Sequence, residues 1–204
     1  MSRYTGPRLR KMRALGRELP GLSRKKVERR PYRPGQHGLA RRRKISDYGL
    51  RLIEKQSLRF NYGVTERQLR NLMAEALRSA DPPGSKLLEL LERRLDNVVW
   101  RAGFAPTIPA ARQLITHGHV LVNGKRVTFP AHRCAVGEVV GVRQKSWKLL
   151  TVVDALVDGN RQRPAWLELD LDTMSAKVKA MPDPAEVPFP IDVRLVVEFY
   201  AATL

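Results

Sequence analysis

The spacing of apolar residues in the first half of the chain is helical. Leucine, isoleucine and phenylalanine recur at helical intervals in residues 47–62. A second stripe over residues 65–77 follows Thr65 and Gln68, which have the spacing of a capping box. A third stripe predicts one helix over residues 86–102, capped by Ser85, with these buried positions: Leu87, Leu91, Leu95, Val98 and Ala102.

A short helix followed at once by a hairpin is predicted around residues 107–127. Thr107 can cap that helix, which ends at Gly118, and Asn123-Gly124 favours a two-residue type I′ turn. In that register Val120, Val122 and Val127 share the apolar face, on which the two preceding helices can pack. The sequence thus predicts a compact wedge with a cationic rim: Arg94, Arg101, Arg112, His117, Lys125 and Arg126.

The C-terminal third changes to the alternating pattern of β-strands. Residues 138–153 predict a strand and a basic turn, and residues 166–169 and 176–179 predict two more strands. Four prolines between residues 182 and 190 indicate an extended linker. Residues 192–201 have the pattern of an amphipathic helix, which we expect to dock on the helices near residues 47–80.

Residues 1–45 lack a clear apolar period and are rich in Gly, Pro, Arg and Lys. Such a segment buries too little apolar surface to fold alone, so we expect an extended arm that becomes ordered on a partner. Its aromatic rings, Tyr4, Tyr32 and His37, are suited to stacking on bases.

The net charge indicates which class of partner the protein binds. The 204 residues carry a formal charge of +18, and the first 50 residues hold 16 basic and 3 acidic side chains. Residues 149–204 reverse the balance with 5 basic and 9 acidic side chains, a surface that faces either a basic protein or water. The charge predicts a polyanionic partner, nucleic acid before an anionic membrane. The basic segment is broken by Pro and Gly, which disfavours a membrane-binding amphipathic helix.

Few residues have the chemistry of a metal or catalytic site. Cys134 is the only cysteine, so neither an internal disulfide nor a zinc site with two or more cysteines can form, and we expect a small buried side chain there. The His117-Gly118-His119 pair has no third ligand nearby in sequence, and Asp170 with Asp172 has no pocket signature. We therefore predict no metal, no cofactor and no enzymatic activity, in a soluble intracellular chain without signal peptide or membrane span.

Five blocks of the sequence resemble bacterial-type small-subunit ribosomal protein S-four, in the form without zinc cysteines. They are GPRLRKMRALG, PYRPGQHGLARRRKISDYGLRLIEKQSLRFNYG, ERRLDNVVWRAGFAPTIPAARQLITHGHVLVNGKRV, PAWLELD and IDVRLVVEFYA. Residues 94–145 are similar to the RNA-binding module of that family. The resemblance implies an α+β fold: a basic arm over 1–45, a helical domain over 46–91 completed by 190–204, and an inserted α/β domain over 92–189 with a mostly antiparallel sheet.

The resemblance also implies a function and a set of partners. Members bind the 5′ region of small-subunit rRNA early, help to nucleate assembly of the subunit body, contact ribosomal protein S-five, influence translational accuracy and border the mRNA entry route. This implies a cytoplasmic ribosome, with an organellar ribosome left open. The ending Ala-Ala-Thr-Leu departs from the serine and basic residue common in the family, which puts an anion contact at that terminus in doubt.

The predicted interface works through phosphate contacts and RNA shape. Cations release counterions from the phosphates, and a rigid wedge recognises a junction because A-form major grooves are too narrow for side chains. A general basic nucleic-acid binder and an RNA-modifying enzyme are the rivals, although only about 60 residues follow the module, too few for a catalytic domain. The candidate RNA-binding residues are Arg3, Arg8, Arg10, Arg13, Tyr32, His37, Arg41, Arg42, Arg43, Lys44, Arg94, Arg101, Arg112, Thr116, His117, His119, Asn123 and Lys125.

Overall fold

The computed structural model of the chain describes residues 4–28, 30–40, 44–157 and 163–202. It divides into two compact units, residues 1–87 with 188–204 and residues 88–187. The described residues form helices α1 (Arg8–Leu15), α2 (Asp47–Asn61), α3 (Glu66–Arg78), α4 (Pro83–Glu92), α5 (Leu95–Arg101), α6 (Ile108–Thr116), α7 (Leu150–Val157) and α8 (Val193–Ala201), and strands β1 (Val120–Val122), β2 (Lys125–Arg126), β3 (Val139–Val142), β4 (Leu167–Asp170) and β5 (Ser175–Val178). The predicted α+β class is confirmed.

The first unit is built on α2, α3 and α8. Thr65 and Gln68 form the predicted capping box at the start of α3. The last helix packs on α2, as predicted, with Arg51 Nε 2.8 Å from Glu198 Oε2. It also reaches α3, because the Tyr200 hydroxyl donates a hydrogen bond of 2.8 Å to Glu66 Oε1. Polar side-chain contacts as well as apolar packing thus hold α8 in this unit.

The arm differs from the predicted extended segment over residues 8–22. Residues 8–15 form α1, and Met12, Leu19 and Leu22 are buried. Arg17 also donates a hydrogen bond of 2.8 Å to Glu54 on α2. Leu9, Met12, Leu15 and Leu19 have a helix-like spacing of three or four. Helix α1 contacts α2, which is far away along the chain, so a local pattern does not show this contact.

The predicted helix over residues 86–102 is interrupted in the structure, which is a correction. Helix α4 begins at Pro83, so Ser85 is not its cap, and α5 begins at Leu95. Between them Arg94 is extended and forms an isolated β-bridge with Arg133. The backbone N–H of Leu95 donates to the His132 carbonyl at 2.8 Å. Tertiary hydrogen bonds to a later loop therefore replace the helical bonds that would have continued α4.

The second unit holds an antiparallel sheet of five strands in the order β2-β1-β3-β5-β4. The predicted hairpin register is confirmed, with Leu121 opposite Arg126 and Val122 opposite Lys125. The strands predicted at 166–169 and 176–179 are present as β4 and β5. Helix α7 replaces the end of the strand and turn predicted over 138–153, since Val152 and Ala155, three apart, are its buried positions.

Membrane insertion finds no support in the helices of the described residues: none combines the length and apolarity that a bilayer crossing requires.

Candidate nucleic-acid interface

Four basic side chains meet where α6 ends and the hairpin begins. Gly118 has φ of 77°, which ends the helix and lets the chain turn into β1. The Arg126 guanidinium lies against Gly118, where any β-carbon would collide with it. The rings of His117 and His119 lie 6.1 Å apart. The backbone N–H of Arg143 donates to the His119 carbonyl at 2.8 Å. We call His117, His119, Arg126 and Arg143 the hairpin surface.

The electrostatics of His119 report on this surface. Partial burial lowers the pKa of His119 first, and the neighbouring charges of His117, Arg143 and Arg126 lower it further. All three neighbours are bases, so the local field favours the neutral imidazole. His119 Nδ1 is 2.9 Å from Ser146 Oγ, which holds the ring in place. Concentrated, uncompensated positive charge of this kind attracts phosphate groups.

Sequence reasoning missed Arg143. It follows β3, which pairs with β1 so that Val142 lies opposite Val120 and the next residue, Arg143, reaches His119. A hairpin register can be derived from Asn123-Gly124 because the turn is local. The pairing of β3 with β1 spans about twenty residues and has no comparable turn signal.

Three of the predicted RNA-binding cations do not lie on an exposed rim, contrary to the prediction. Arg94, Arg101 and Arg112 are only 4%, 6% and 8% exposed. Arg94 Nη2 is 2.8 Å from Asp96 Oδ2, and Arg112 Nε is 3.6 Å from the same oxygen. Arg101 Nε is 3.1 Å from Glu92 Oε2. These guanidinium groups are buried ion-pair partners within the second unit.

The reason for this error is visible in the sequence around α5. Residues 97–137 contain no acidic side chain, which suggested that the cations of the wedge are unpaired. Both acids, Glu92 and Asp96, lie just before that stretch. Asn97 completes the network, since its Nδ2 donates to Glu92 Oε2 at 2.9 Å. A buried charge is tolerated when it is paired and hydrogen-bonded, and the two acids supply both.

The other predicted RNA-binding residues of the second unit lie around the hairpin. Thr116 is exposed, and its hydroxyl donates back to the Arg112 carbonyl at 2.9 Å. Asn123 has φ of 49°, as a type I′ turn requires. Its Oδ1 accepts from the Val139 N–H at 2.9 Å, so this side chain joins the turn to β3. Lys125 is exposed beside the turn.

The predicted RNA-binding residues of the arm have varied surroundings. Arg13 Nε donates to the Tyr32 carbonyl at 3.0 Å, and its guanidinium lies 4.9 Å from the centre of the Tyr32 ring, so part of that ring is covered. Arg8 donates to the Leu22 carbonyl at 3.4 Å. Exposed side chains are those of Arg10, His37 and Lys44. Arg3, Arg41, Arg42 and Arg43 lie outside the described residues.

A stacking position is present at Tyr4, which is exposed. Its ring meets Phe60 edge to face at 5.4 Å between centroids, and Lys11 Nζ lies 5.5 Å from the Tyr4 centroid. An aromatic ring next to a cation suits a nucleobase with its phosphate.

Cys134 lies in the interior, as predicted, and Asp170 lies at an exposed turn. Cys134 is buried, and burial raises the pKa of its thiol to about 12. Asp170 accepts hydrogen bonds from the Thr173 side chain and backbone, which lower the pKa of its carboxyl. It organises the exposed turn between β4 and β5, as expected of a solvated carboxylate.

Comparison with known proteins covers the whole chain. Residues 3–92 match the family described as ribosomal protein S4/S9 N-terminal domain, and residues 93–140 match the S4 domain. The chain is 56% identical over 205 residues to small ribosomal subunit protein uS4 of Methylobacillus flagellatus, with 100% of both chains covered. It is 57% identical to uS4B of Nitrosomonas europaea and 46% identical to uS4 of Parabacteroides distasonis, with at least 98% of each chain covered.

Proposed function

The chain belongs to the uS4 family of small ribosomal subunit proteins, and on that premise we propose that it binds the 5′ region of small-subunit rRNA and helps to nucleate assembly of the subunit body. It is a structural, non-enzymatic constituent of the small subunit. The observation that carries the RNA-binding proposal is the hairpin surface, in which four basic side chains surround one glycine. The charged side chains that influence the pKa of His119 there are all basic.

The ion pairs of the second unit support two different roles for its basic side chains. Arg94, Arg101 and Arg112 hold the α5–α6 region together from inside. Within the described residues, Lys125, Arg126 and Arg143 are exposed and form no ion pair with a carboxylate. The first set makes the wedge rigid, and the second set is available to phosphates. This differs from the sequence-based assignment, in which Arg94, Arg101 and Arg112 contacted RNA together with Lys125.

Rigidity matters because folded RNA is recognised largely by shape. Side chains cannot enter the narrow major groove of A-form RNA, so a basic surface of fixed geometry selects the spacing of phosphates at a junction. The hairpin surface is fixed by the Gly118 turn, the Asn123 bond to β3 and the Ser146 bond to His119. We assign specificity for a junction to this fixed arrangement and general affinity to the cations of the arm.

The finer partners are also proposals: ribosomal protein S-five, mRNA near its entry route, and a contribution to translational accuracy. Lys44, an exposed cation three residues before the start of α2, supports a nucleic-acid contact near the end of the arm. The acidic balance of residues 149–204 supports a basic protein neighbour. Crosslinking from Lys44 and from β4 in assembled subunits tests the two: RNA at the first position and protein at the second are expected.

The RNA proposal is tested by binding to a folded 5′-region rRNA fragment and to a duplex of equal length, across a salt series. We expect the fragment to bind about 1,000-fold more tightly, in the range of specific nucleic-acid sites. Arg126→Ala with Arg143→Ala should remove most of that preference and reduce the salt slope by about 1.5, since each lost phosphate contact contributes about 0.7–0.9.

A charge-matched control uses two exposed lysines of the β5 region, Lys177→Ala with Lys179→Ala. This variant has the same net charge and should keep the preference for the junction. If the wild type binds fragment and duplex alike, the protein is a general basic binder and the proposal is wrong. If both variants lose the preference equally, net charge is responsible, and the hairpin surface is not a site.

A further inference from the structure

Three potential metal ligands converge on the loop between β2 and β3. A nitrogen of His132, the sulfur of Cys134 and a carboxylate oxygen of Glu138 all lie within 4.8 Å of one another. Cys134 is buried, and Glu138 and His132 are half-buried. The sequence-based exclusion of a metal considered sites with several cysteines, and a set of one sulfur, one nitrogen and one oxygen falls outside that exclusion.

The backbone holds this loop in place from the α4–α5 junction. The His132 carbonyl accepts from the Leu95 N–H at 2.8 Å, and the Cys134 N–H donates to the Arg93 carbonyl at 2.8 Å. The bridge between Arg94 and Arg133 makes the segment locally extended. In extended chain, residues two apart point to the same side, which is why His132 and Cys134 face one point while Arg133 faces solvent.

The third ligand is positioned by a turn. Gly137 has φ of 91°, and the Glu138 N–H donates to the Ala135 carbonyl at 3.2 Å. Glu138 Oε2 accepts from the Ala135 N–H at 2.9 Å, which directs the carboxylate back over the loop. A carboxylate oxygen has a second lone pair, and the other oxygen is also available, so this bond leaves room for a metal.

One polar atom of the cluster is left without a partner. His132 Nε2 is shielded from solvent and makes no hydrogen bond. It lies 3.6 Å from Glu138 Oε2, beyond normal hydrogen-bond length. Buried polar atoms are nearly always satisfied, so an unsatisfied imidazole nitrogen beside a thiol and a carboxylate requires an explanation.

We propose that His132, Cys134 and Glu138 form a mononuclear site for a divalent, borderline-soft transition metal of the Zn²⁺ class, with water as the fourth ligand. Tetrahedral ligands with bonds of about 2.0–2.3 Å lie roughly 3.5 Å apart, so the side chains need to close by about 1 Å. On binding, the thiol S–H bond breaks, its proton passes to the solvent, and a metal–thiolate bond forms. The bound ion satisfies His132 Nε2 and ties the loop to the α4–α5 junction.

The test is a Co²⁺ titration of the metal-stripped full-length protein, followed by optical absorption. We expect one Co²⁺ per chain, a thiolate-to-cobalt charge-transfer band, visible bands of tetrahedral intensity, and loss of both on addition of Zn²⁺. Cys134→Ser should abolish the charge-transfer band. His132→Gln and Glu138→Gln should each weaken binding by about tenfold or more, because each removes one of three protein ligands.

His119→Gln is the matched control, because His119 is a half-buried histidine of the second unit that lies outside the cluster. It should leave the titration unchanged. The proposal is overturned if the folded wild type gives no charge-transfer band, or if His119→Gln abolishes binding while His132→Gln does not. If the circular dichroism spectrum shows that Cys134→Ser does not fold, the proposal is judged from the wild-type absorption spectra and from His132→Gln. His132 is only half-buried, so its substitution should leave the fold intact.

Discussion

Arg94 and Asp96 form a buried, bidentate ion pair at the break between α4 and α5. Arg94 Nε is 3.1 Å from Asp96 Oδ1, and Arg94 Nη2 is 2.8 Å from Asp96 Oδ2. Asp96 Oδ1 also accepts the Asn97 N–H at 3.0 Å, inside the first turn of α5. The pair therefore fixes the backbone where two helices meet, and it gives Arg94 a role in the stability of the fold.

Removing one partner of this pair should destabilise the fold. Arg94→Ala leaves Asp96 buried with only part of its compensation, and we expect a loss of about 3–5 kcal/mol in the free energy of unfolding. Arg94→Met, which keeps most of the side-chain volume, should lose a similar amount, because among the described residues Asp96 then keeps only the 3.6 Å ion pair with Arg112. Urea unfolding followed by circular dichroism measures both.

Lys125→Ala provides the contrast for Arg94→Ala. Its side chain is exposed, so stability should change by less than about 0.5 kcal/mol. Affinity for the rRNA fragment should fall for Lys125→Ala with the fold intact. An Arg94→Ala protein as stable as the wild type but weak in RNA binding would return Arg94 to the interface and contradict its structural role.

The first part of the arm should be ordered without RNA. Leu19 is fully buried, and Leu19→Ala should reduce the free energy of unfolding by about 2–5 kcal/mol, as for other large-to-small core substitutions. Leu39→Ala, at a side chain 79% exposed, is the matched control and should have almost no effect. In hydrogen exchange of the free protein, the Gly16 amide, bonded to the Met12 carbonyl at 2.8 Å, should be protected. Rapid exchange throughout residues 8–22 would instead support an arm that folds only on its partner.

The hydrogen bond between Tyr200 and Glu66 should make the docking of α8 pH-dependent. Burial acts to raise the pKa of Glu66, but hydrogen bonds from Lys55 and Tyr200 and the charges of Lys55 and Arg59 outweigh it and lower the pKa below 4.5. A lowered pKa means that this contribution is complete above 4.5 and is lost as pH falls through the folded-state value. Tyr200→Phe should lose about 1–2 kcal/mol at pH 7, and the difference from wild type should shrink below pH 4.

The ionisation of Tyr200 makes stability fall at high pH, whereas that of Glu66 makes it fall at low pH. Burial, and then the bond to Glu66 and its charge, raise the pKa of Tyr200 above 10. Its contribution is complete below 10 and is lost as pH rises further, because the unfolded tyrosine ionises first. Urea unfolding of wild type and Tyr200→Phe at pH 3, 7 and 10.5 measures both effects. Tyr48→Phe, at an exposed ring, is the control, and an equal loss in it at pH 7 would contradict the argument.

The features that were predicted correctly from the sequence are those that depend on residues close together in the chain. The capping box at Thr65 and the turn at Asn123 depend on neighbours within four residues, and both are present. The burial of Arg94 depends on a carboxylate brought under it by a helix break, and that break depends on Leu95 bonding to His132. Such long-range hydrogen bonds leave no periodic trace in the sequence. The hairpin surface was only partly predictable, because Arg143 joins it through β3.

Binding of RNA to the hairpin surface should take up protons at His119. Partial burial, followed by the charges of His117, Arg143 and Arg126, lowers the pKa of His119 below 6.5 in the free protein, so its neutral form predominates at pH 7. This lowered pKa stabilises the free fold above 6.5, and the contribution is lost as pH falls through the folded value. A phosphate placed among these bases reverses the field and raises the pKa of His119 in the complex.

Affinity for the rRNA fragment should therefore increase as pH falls from about 7.5 to 5.5, by at most about tenfold per pH unit for one proton. His119→Gln retains hydrogen-bonding capacity but cannot titrate, and it should flatten the dependence. Measurement of Kd against pH at constant ionic strength, with His37→Gln in parallel, tests this expectation. A slope that survives in His119→Gln and disappears in His37→Gln would mean that the proton is taken up in the arm, because His119 would then keep the same charge in the free and bound states.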